Sequence, residues 1–298
     1  TEPENFKVKG KEQIDQYCQV LQEHTVGLLQ GNEEAIEVFY QNRQEIAPYN
    51  VLKRIPGYEE HLAVFLQYFK QLAQLYLTDK PLRILEIGTR DSYATGQIHN
   101  ALQGLSVEYV YGDTSPFFID EIKSRIHDAV TVEFKRLNLE ESVVEQGYSP
   151  HFFDCIIAVN SLHRSHHVQE SMKQITRLLA PAGVLLMTEF TAETYLQEIT
   201  AAFLEEGFKN LEDVRKENRS AVVQVAEWKG ILERNGFAVI RVHPQIWGRS
   251  ILAAQYKSAG IACTPQRLQE QISLKLPEYM VPRIYYFLER LPLTANGK

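Results

Sequence analysis

Residues 82–92 read LRILEIGTRDS, and the fold follows from this run. Leu82, Ile84, Leu85 and Ile87 make it largely apolar up to Gly88, as a parallel strand buried on both faces requires. Upstream the period is different. Leu21, Leu28 and Leu29, then Leu62, Phe65, Leu66 and Phe69, recur at three-to-four spacing and predict helices over 11–45 and 58–78. Pro48 and Pro56 break the segment between them. Downstream, VEYVYGD (107–113), TVEFKRLN (131–138), FFDCIIAVN (152–160) and GVLLMTEF (183–190) follow at helix-length intervals. GFAVIRVHP (236–244) and RSILAAQYK (249–257) flank Gln245–Gly248 as an antiparallel pair. Strand–helix alternation of this kind predicts a doubly wound α/β domain: a mostly parallel sheet with an antiparallel terminal strand, behind an N-terminal helical cap. No internal repeat or low-complexity segment interrupts it.

The 298 residues, 44% hydrophobic and 23% charged, suit a soluble globular protein with a sizeable core. A net charge of -7 and the lack of a basic run argue against nucleic acid as a partner. Cys18, Cys155 and Cys263 are odd in number and far apart, which fits a reducing cytoplasm. No signal peptide and no apolar run of about 20 residues is present, so no membrane association is expected. His24, His99 and His127 have no companions at metal-ligand spacing, so no metal is expected.

The end of the chain carries two further blocks, LPEYMVP at 276–282 and LPLTANGK at 291–298. Together they resemble the closing segment of the adenylation domain of nonribosomal peptide synthetases. The resemblance implies that Lys298 is the lysine that reaches an acyl-adenylate from a mobile subdomain. The preceding residues hold no Gly/Ser/Thr-rich phosphate loop. The chain is therefore read as a domain embedded near the end of an adenylation domain, with the host adenylation core and a peptidyl carrier protein as partners in cis. FKVKGKEQID (6–15) and LQEHTV (21–26) either resemble the start of the adenylation subdomain or form an ordinary N-terminal extension. The expected division is 1–80 helical cap, 81–250 α/β domain and 251–298 adenylation-subdomain segment.

The collinear set LRILEIG, YGDTSP, FFDCIIAVNSLH and LLAPAGVLLMTEF resembles the S-adenosylmethionine-dependent methyltransferases embedded in polyketide and nonribosomal peptide synthetases. That resemblance implies a Rossmann-like class I methyltransferase fold, with Asp113 as the acid that meets the cofactor ribose. The first motif departs from the family pattern, roughly E-x-G-x-G-x-G. Gly88 is kept, but Arg90 and Ser92 stand where the next two glycines belong. Glycine is needed there so that the backbone turns sharply and approaches the cofactor. A long cation at Arg90 fills that space and opposes a sulfonium charge. The preferred reading is a degenerate loop that binds no cofactor; the alternative is that Arg90 points to solvent and S-adenosylmethionine still binds.

His163 follows the fourth strand and Glu189 ends the fifth. Adjacent strands lie about 5 Å apart, so the two side chains can meet. Histidine titrates near neutrality, and a carboxylate behind it fixes its tautomer and raises its basicity. In carbon-methylating relatives the matching pair removes the proton alpha to a thioester. A surviving base beside a broken methyl-donor site implies epimerisation. The layout resembles the methyltransferase-like epimerases of thiazoline-forming siderophore synthetases, of the pyochelin and yersiniabactin type. The implied substrate is a cysteinyl or aryl-thiazoline thioester on the phosphopantetheine of a carrier protein. His166, His167, Tyr49 and Tyr58 are candidates for the second proton donor, the two tyrosines from a cap that closes over the pocket. An active N- or C-methyltransferase and an inactive structural insert are the other two readings.

Overall fold

A computed structural model describes residues 11–40, 47–54, 57–75, 80–126, 131–194, 203–204, 210–218 and 220–257. In the last segment it describes 269, 272–273, 276–282 and 284. Two compact units divide at Ser258. Residues 291–298, Lys298 among them, lie outside the described residues, as do 1–10 and Pro56.

Four helices open the chain: α1 (Lys11–Gln30), α2 (Ala35–Tyr40), α3 (Pro48–Leu52) and α4 (Tyr58–Leu75). The single helix expected over 11–45 is broken because Gly31 turns the backbone to φ +70°, a conformation that glycine adopts without steric cost. Pro48 does not merely interrupt the segment; it is the first residue of α3, where a missing N–H costs nothing.

Then come β1 (Leu82–Ile87), α5 (Ser92–Ala101), β2 (Val107–Asp113), α6 (Pro116–Arg125), β3 (Val132–Arg136) and β4 (Phe153–Val159). They are followed by α7 (Val168–Leu178), β5 (Leu179–Phe190), α8 (Val214–Asn218), α9 (Val225–Arg234), β6 (Phe237–Ile246) and β7 (Arg249–Tyr256). The seven strands are ordered β3-β2-β1-β4-β5-β7-β6. All neighbours from β3 to β5 are parallel, and β7 runs antiparallel to both β5 and β6. The chain thus has a mixed α/β fold built on a mostly parallel sheet. One boundary needs correction. The division at residue 250 would cut β7, whose pairing with β5 over 184–190 makes it an interior strand of the sheet.

Each face of the sheet is covered. Ile156, Ala158, Leu185 and Met187 pack against Met172 and Ile175 of α7 and Trp228 of α9. Ile84, Ile157 and Leu186 face Phe65 and Phe69 of α4 and Ile98 of α5. Burying each such side chain contributes about 1.5–3 kcal/mol. A third cluster joins Tyr17, Phe39 and Val51 of α1 to α3 to Phe118 of α6, so the cap is anchored beside the end of β2. The strand order reverses between β1 and β4, which opens a crevice at their carboxyl ends.

Candidate functional site

β4 ends in a sharp turn at Asn160, φ +47°, and a 3-10 turn over Leu162–Arg164 carries His163. β5 lies alongside in register, with Val159 opposite Thr188, so Glu189 arrives next to that turn. Glu189 Oε1 accepts the backbone N–H groups of Ser161 at 2.9 Å and Leu162 at 2.7 Å. Its Oε2 lies 2.6 Å from His163 Nδ1. Both side chains are buried, 3% and 0% exposed. A carboxylate so placed holds the tautomer with Nδ1–H toward it and makes Nε2 the basic atom. Arg215 secures the turn from the other side. Its Nη1 donates to the His163 carbonyl and its Nη2 to that of Ser165, while Asp213 pairs with it at 2.7 Å.

His163 lines a cavity of about 320 Å³ at the switch point, together with Gly88, Arg90, Asp113, Ser161 and Arg164. Arg90 turns inward, not to solvent. Its Nε donates to Asp113 Oδ2 at 3.1 Å and its Nη2 to Oδ1 at 3.2 Å. The guanidinium lies 4.2 Å over the Phe118 ring, which itself packs into the cap. Burial works against the Asp113 charge, but Arg90 and Arg164 outweigh it and hold the carboxyl below its usual range. Arg164 Nη2 donates to the Gly88 carbonyl. Gly88 has φ +52°, and a Cβ built on it would meet Arg164 Nη2 at 2.6 Å.

These observations bear on S-adenosylmethionine. The acid expected to hold a ribose is already satisfied by Arg90, and the glycine loop is covered by Arg164. Two cations stand in a crevice where the cofactor would bring a sulfonium, and like charges repel at close range. The residues present do not fit that cofactor.

The other expected residues scatter. Ser92 is the first residue of α5, behind the Asp91 cap. His166 lines the cavity, and its backbone N–H donates to Glu140. His167 caps α7 and does not line it. Tyr58 was placed over the pocket by its position in the cap; instead it donates to Asp91 at the start of α5, with Arg249 over its ring. Burial and the Asp91 charge push the Tyr58 hydroxyl well above its ordinary range, so it is a poor acid. Tyr49 is on α3, and its side chain lies outside the described residues. Sequence reasoning missed Arg164 and Arg215. The signal for the first was its position directly after His163; for the second there was none, because 52 residues separate it from the carbonyl that it holds.

Residues 85–185 match a family described as a methyltransferase domain, and residues 235–298 match the C-terminal domain of AMP-binding enzymes. Pyochelin synthetase PchF of Pseudomonas aeruginosa is 26% identical over 227 residues, which is 72% of this chain and 12% of that protein. The chain therefore spans a small part of the curated relatives that it matches. Among solved structures, the CurJ carbon methyltransferase superposes with a TM-score of 0.72 at 20% identity, over 82% of this chain and 71% of that one. The trans-methyltransferase CalH, in complex with SAH, superposes at 0.65 and 22% identity, over 82% and 68%. The chain thus carries a region similar to methyltransferase domains and a C-terminal region similar to that of AMP-binding enzymes, is similar to part of a pyochelin synthetase, and shares the fold of carbon methyltransferases.

Proposed function

We propose that the chain epimerises the α carbon of an acyl thioester carried on the phosphopantetheine of a peptidyl carrier protein, within a nonribosomal peptide synthetase. The observation that carries this reading is a buried His163–Glu189 pair beside a crevice whose cofactor contacts are taken by Arg90 and Arg164. Glu189 holds the Nδ1 side of the ring, so Nε2 takes the α proton. The electron pair of the broken C–H bond passes into the thioester carbonyl as an enolate. Return of a proton to the opposite face of the same carbon inverts it, and no co-substrate is consumed. His166, on the same cavity, is the candidate donor.

The proposed substrate class is a cysteinyl or aryl-thiazoline thioester, as in siderophore assembly. Its α proton is acidified by the thioester and, in the thiazoline, by the ring C=N. Similarity to a pyochelin synthetase supports that context, and the AMP-binding tail supports a host adenylation core in cis. A second reading, methylation with S-adenosylmethionine, draws on the similarity to carbon methyltransferases. One experiment separates the two. A carrier protein loaded with the thioester is incubated with the chain in deuterium oxide, with and without S-adenosylmethionine. Deuterium at the α carbon without a methyl mass gain is expected; a methyl gain that depends on S-adenosylmethionine overturns the epimerase reading.

A further inference from the structure

A base alone does not make an α carbon exchange. The electron pair left by the proton must settle on the thioester oxygen, and the enolate so formed needs a cation or a hydrogen-bond donor to receive it. The His163–Glu189 pair supplies only the base. Of the arginines that line the cavity, Arg90 has its Nε and Nη2 on Asp113. Arg164 is differently disposed. It directly follows His163 in the 3-10 turn and lines the same cavity. Its Nη2 is held by the Gly88 carbonyl, whereas its Nη1 is buried and has no acceptor among the described residues. An unmet buried donor is costly, and more so on a charged group. A ligand oxygen would satisfy it.

We infer that Arg164 is a catalytic residue that binds the thioester oxygen and stabilises the enolate through Nη1. This rests on the epimerase reading above. Arg164 cannot be the far-face proton donor, because a guanidinium does not deprotonate in proteins. Its contribution is a fixed positive charge, held by the Gly88 carbonyl at the wall of the cavity that His163 also lines. The cation that blocks the cofactor crevice therefore has a positive use. When the Cα–H bond breaks, the proton goes to His163 Nε2 and the electron pair to the oxygen held by Arg164. When the enolate collapses, the carbon takes a proton and the oxygen reverts to a neutral carbonyl.

The test is deuterium wash-in at the α carbon of a carrier-bound aryl-thiazoline thioester, using the full chain. Arg164→Ala should lower kcat by about 10²–10³-fold, the usual effect of losing one oxyanion donor. KM should stay within about threefold, because the contact is made mainly in the transition state. Low-millimolar guanidinium should restore part of the rate to Arg164→Ala and none to His163→Ala. Arg164→Lys keeps the charge and should lose only about tenfold at an unchanged melting temperature; it carries the test if the alanine variant unfolds. A kcat in Arg164→Ala or Arg164→Lys equal to the wild-type value overturns the assignment while leaving the epimerase reading intact. A wild-type chain that exchanges no α proton overturns both.

Discussion

The guanidinium of Arg215 and the backbone carbonyl of His163 lie 2.5 Å apart, although 52 residues separate them in the chain. The same group holds the Ser165 carbonyl and is paired with Asp213, and it is 1% exposed. The turn that presents the imidazole is thus fixed by its main chain as well as by Glu189. Replacing Arg215 with Met leaves three carbonyls, those of His163, Ser165 and His166, and the Asp213 carboxylate without their cation. Breaking a buried pair in this way costs about 3–5 kcal/mol. Arg215→Met should therefore lower the melting temperature and the α-exchange rate together, both measurable on one preparation. Arg215→Met with unchanged melting would show that the turn stands without it.

The dyad makes a sharper prediction. His163→Ala should reduce deuterium incorporation by about 10²–10⁴-fold. Glu189→Gln keeps the shape but turns an amide N–H toward Nδ1, so a partial loss is expected. The double variant should be no slower than His163→Ala, because the carboxylate acts through the ring. Additive losses measured in the double variant would separate the two roles.

Cofactor affinity follows from the two arginines. Calorimetry with S-adenosylmethionine should detect no binding in the micromolar range, which corresponds to about -8 kcal/mol. Arg90→Gly combined with Arg164→Ala should uncover Asp113 and the Gly88 carbonyl and raise the affinity. Micromolar binding to the unaltered chain would contradict the reading of the crevice.

Stability at acid pH should respond to His99. Its ring sits edge-on to Tyr109, and both ring nitrogens are buried with no partner among the described residues. Burial pushes its pKa from 6.5 down to about 4. The unfolded chain therefore binds this proton more readily than the folded one, and stability falls as pH drops from about 6.5 to about 4. His61, lowered to about 3 chiefly by burial, adds a loss of the same sign over a window that extends lower. His99→Leu should raise the melting temperature, and its margin over wild type should widen as the pH is lowered through that window. A margin that does not change with pH would mean that His99 is not the group responsible.

The sheet and the dyad were legible because both rest on local signals. The central strands β1, β4 and β5 are apolar runs, and the ends of β4 and β5 place His163 and Glu189 side by side. The disposition of Arg90 was legible only in part. Its position in the glycine loop marked it as an obstruction, but its inward turn depends on Phe118 and Asp113, which belong to another βα unit. Tyr58 was misplaced for a related reason. A residue in a cap can face any part of the strand ends, and here Asp91 and Arg249 settle the matter. β5 begins at Leu179, four residues before the apolar run at 183–190, because Ala182 turns to φ +63° and the pairing with β4 shifts register there before it resumes at Val184.

Among the described residues, the strand that completes the sheet is also the last to be made. β7 lies between β5 and β6, so during synthesis the edge of β5 stays bare from residue 190 until residue 249 has emerged. An open edge of this kind is a template for pairing with other chains. The domain cannot close strand by strand behind the ribosome; its final eight residues seal it. The match to the AMP-binding C-terminal domain begins at residue 235 and so takes in β6 and β7, and severing the chain at residue 250 would remove the seal along with the tail.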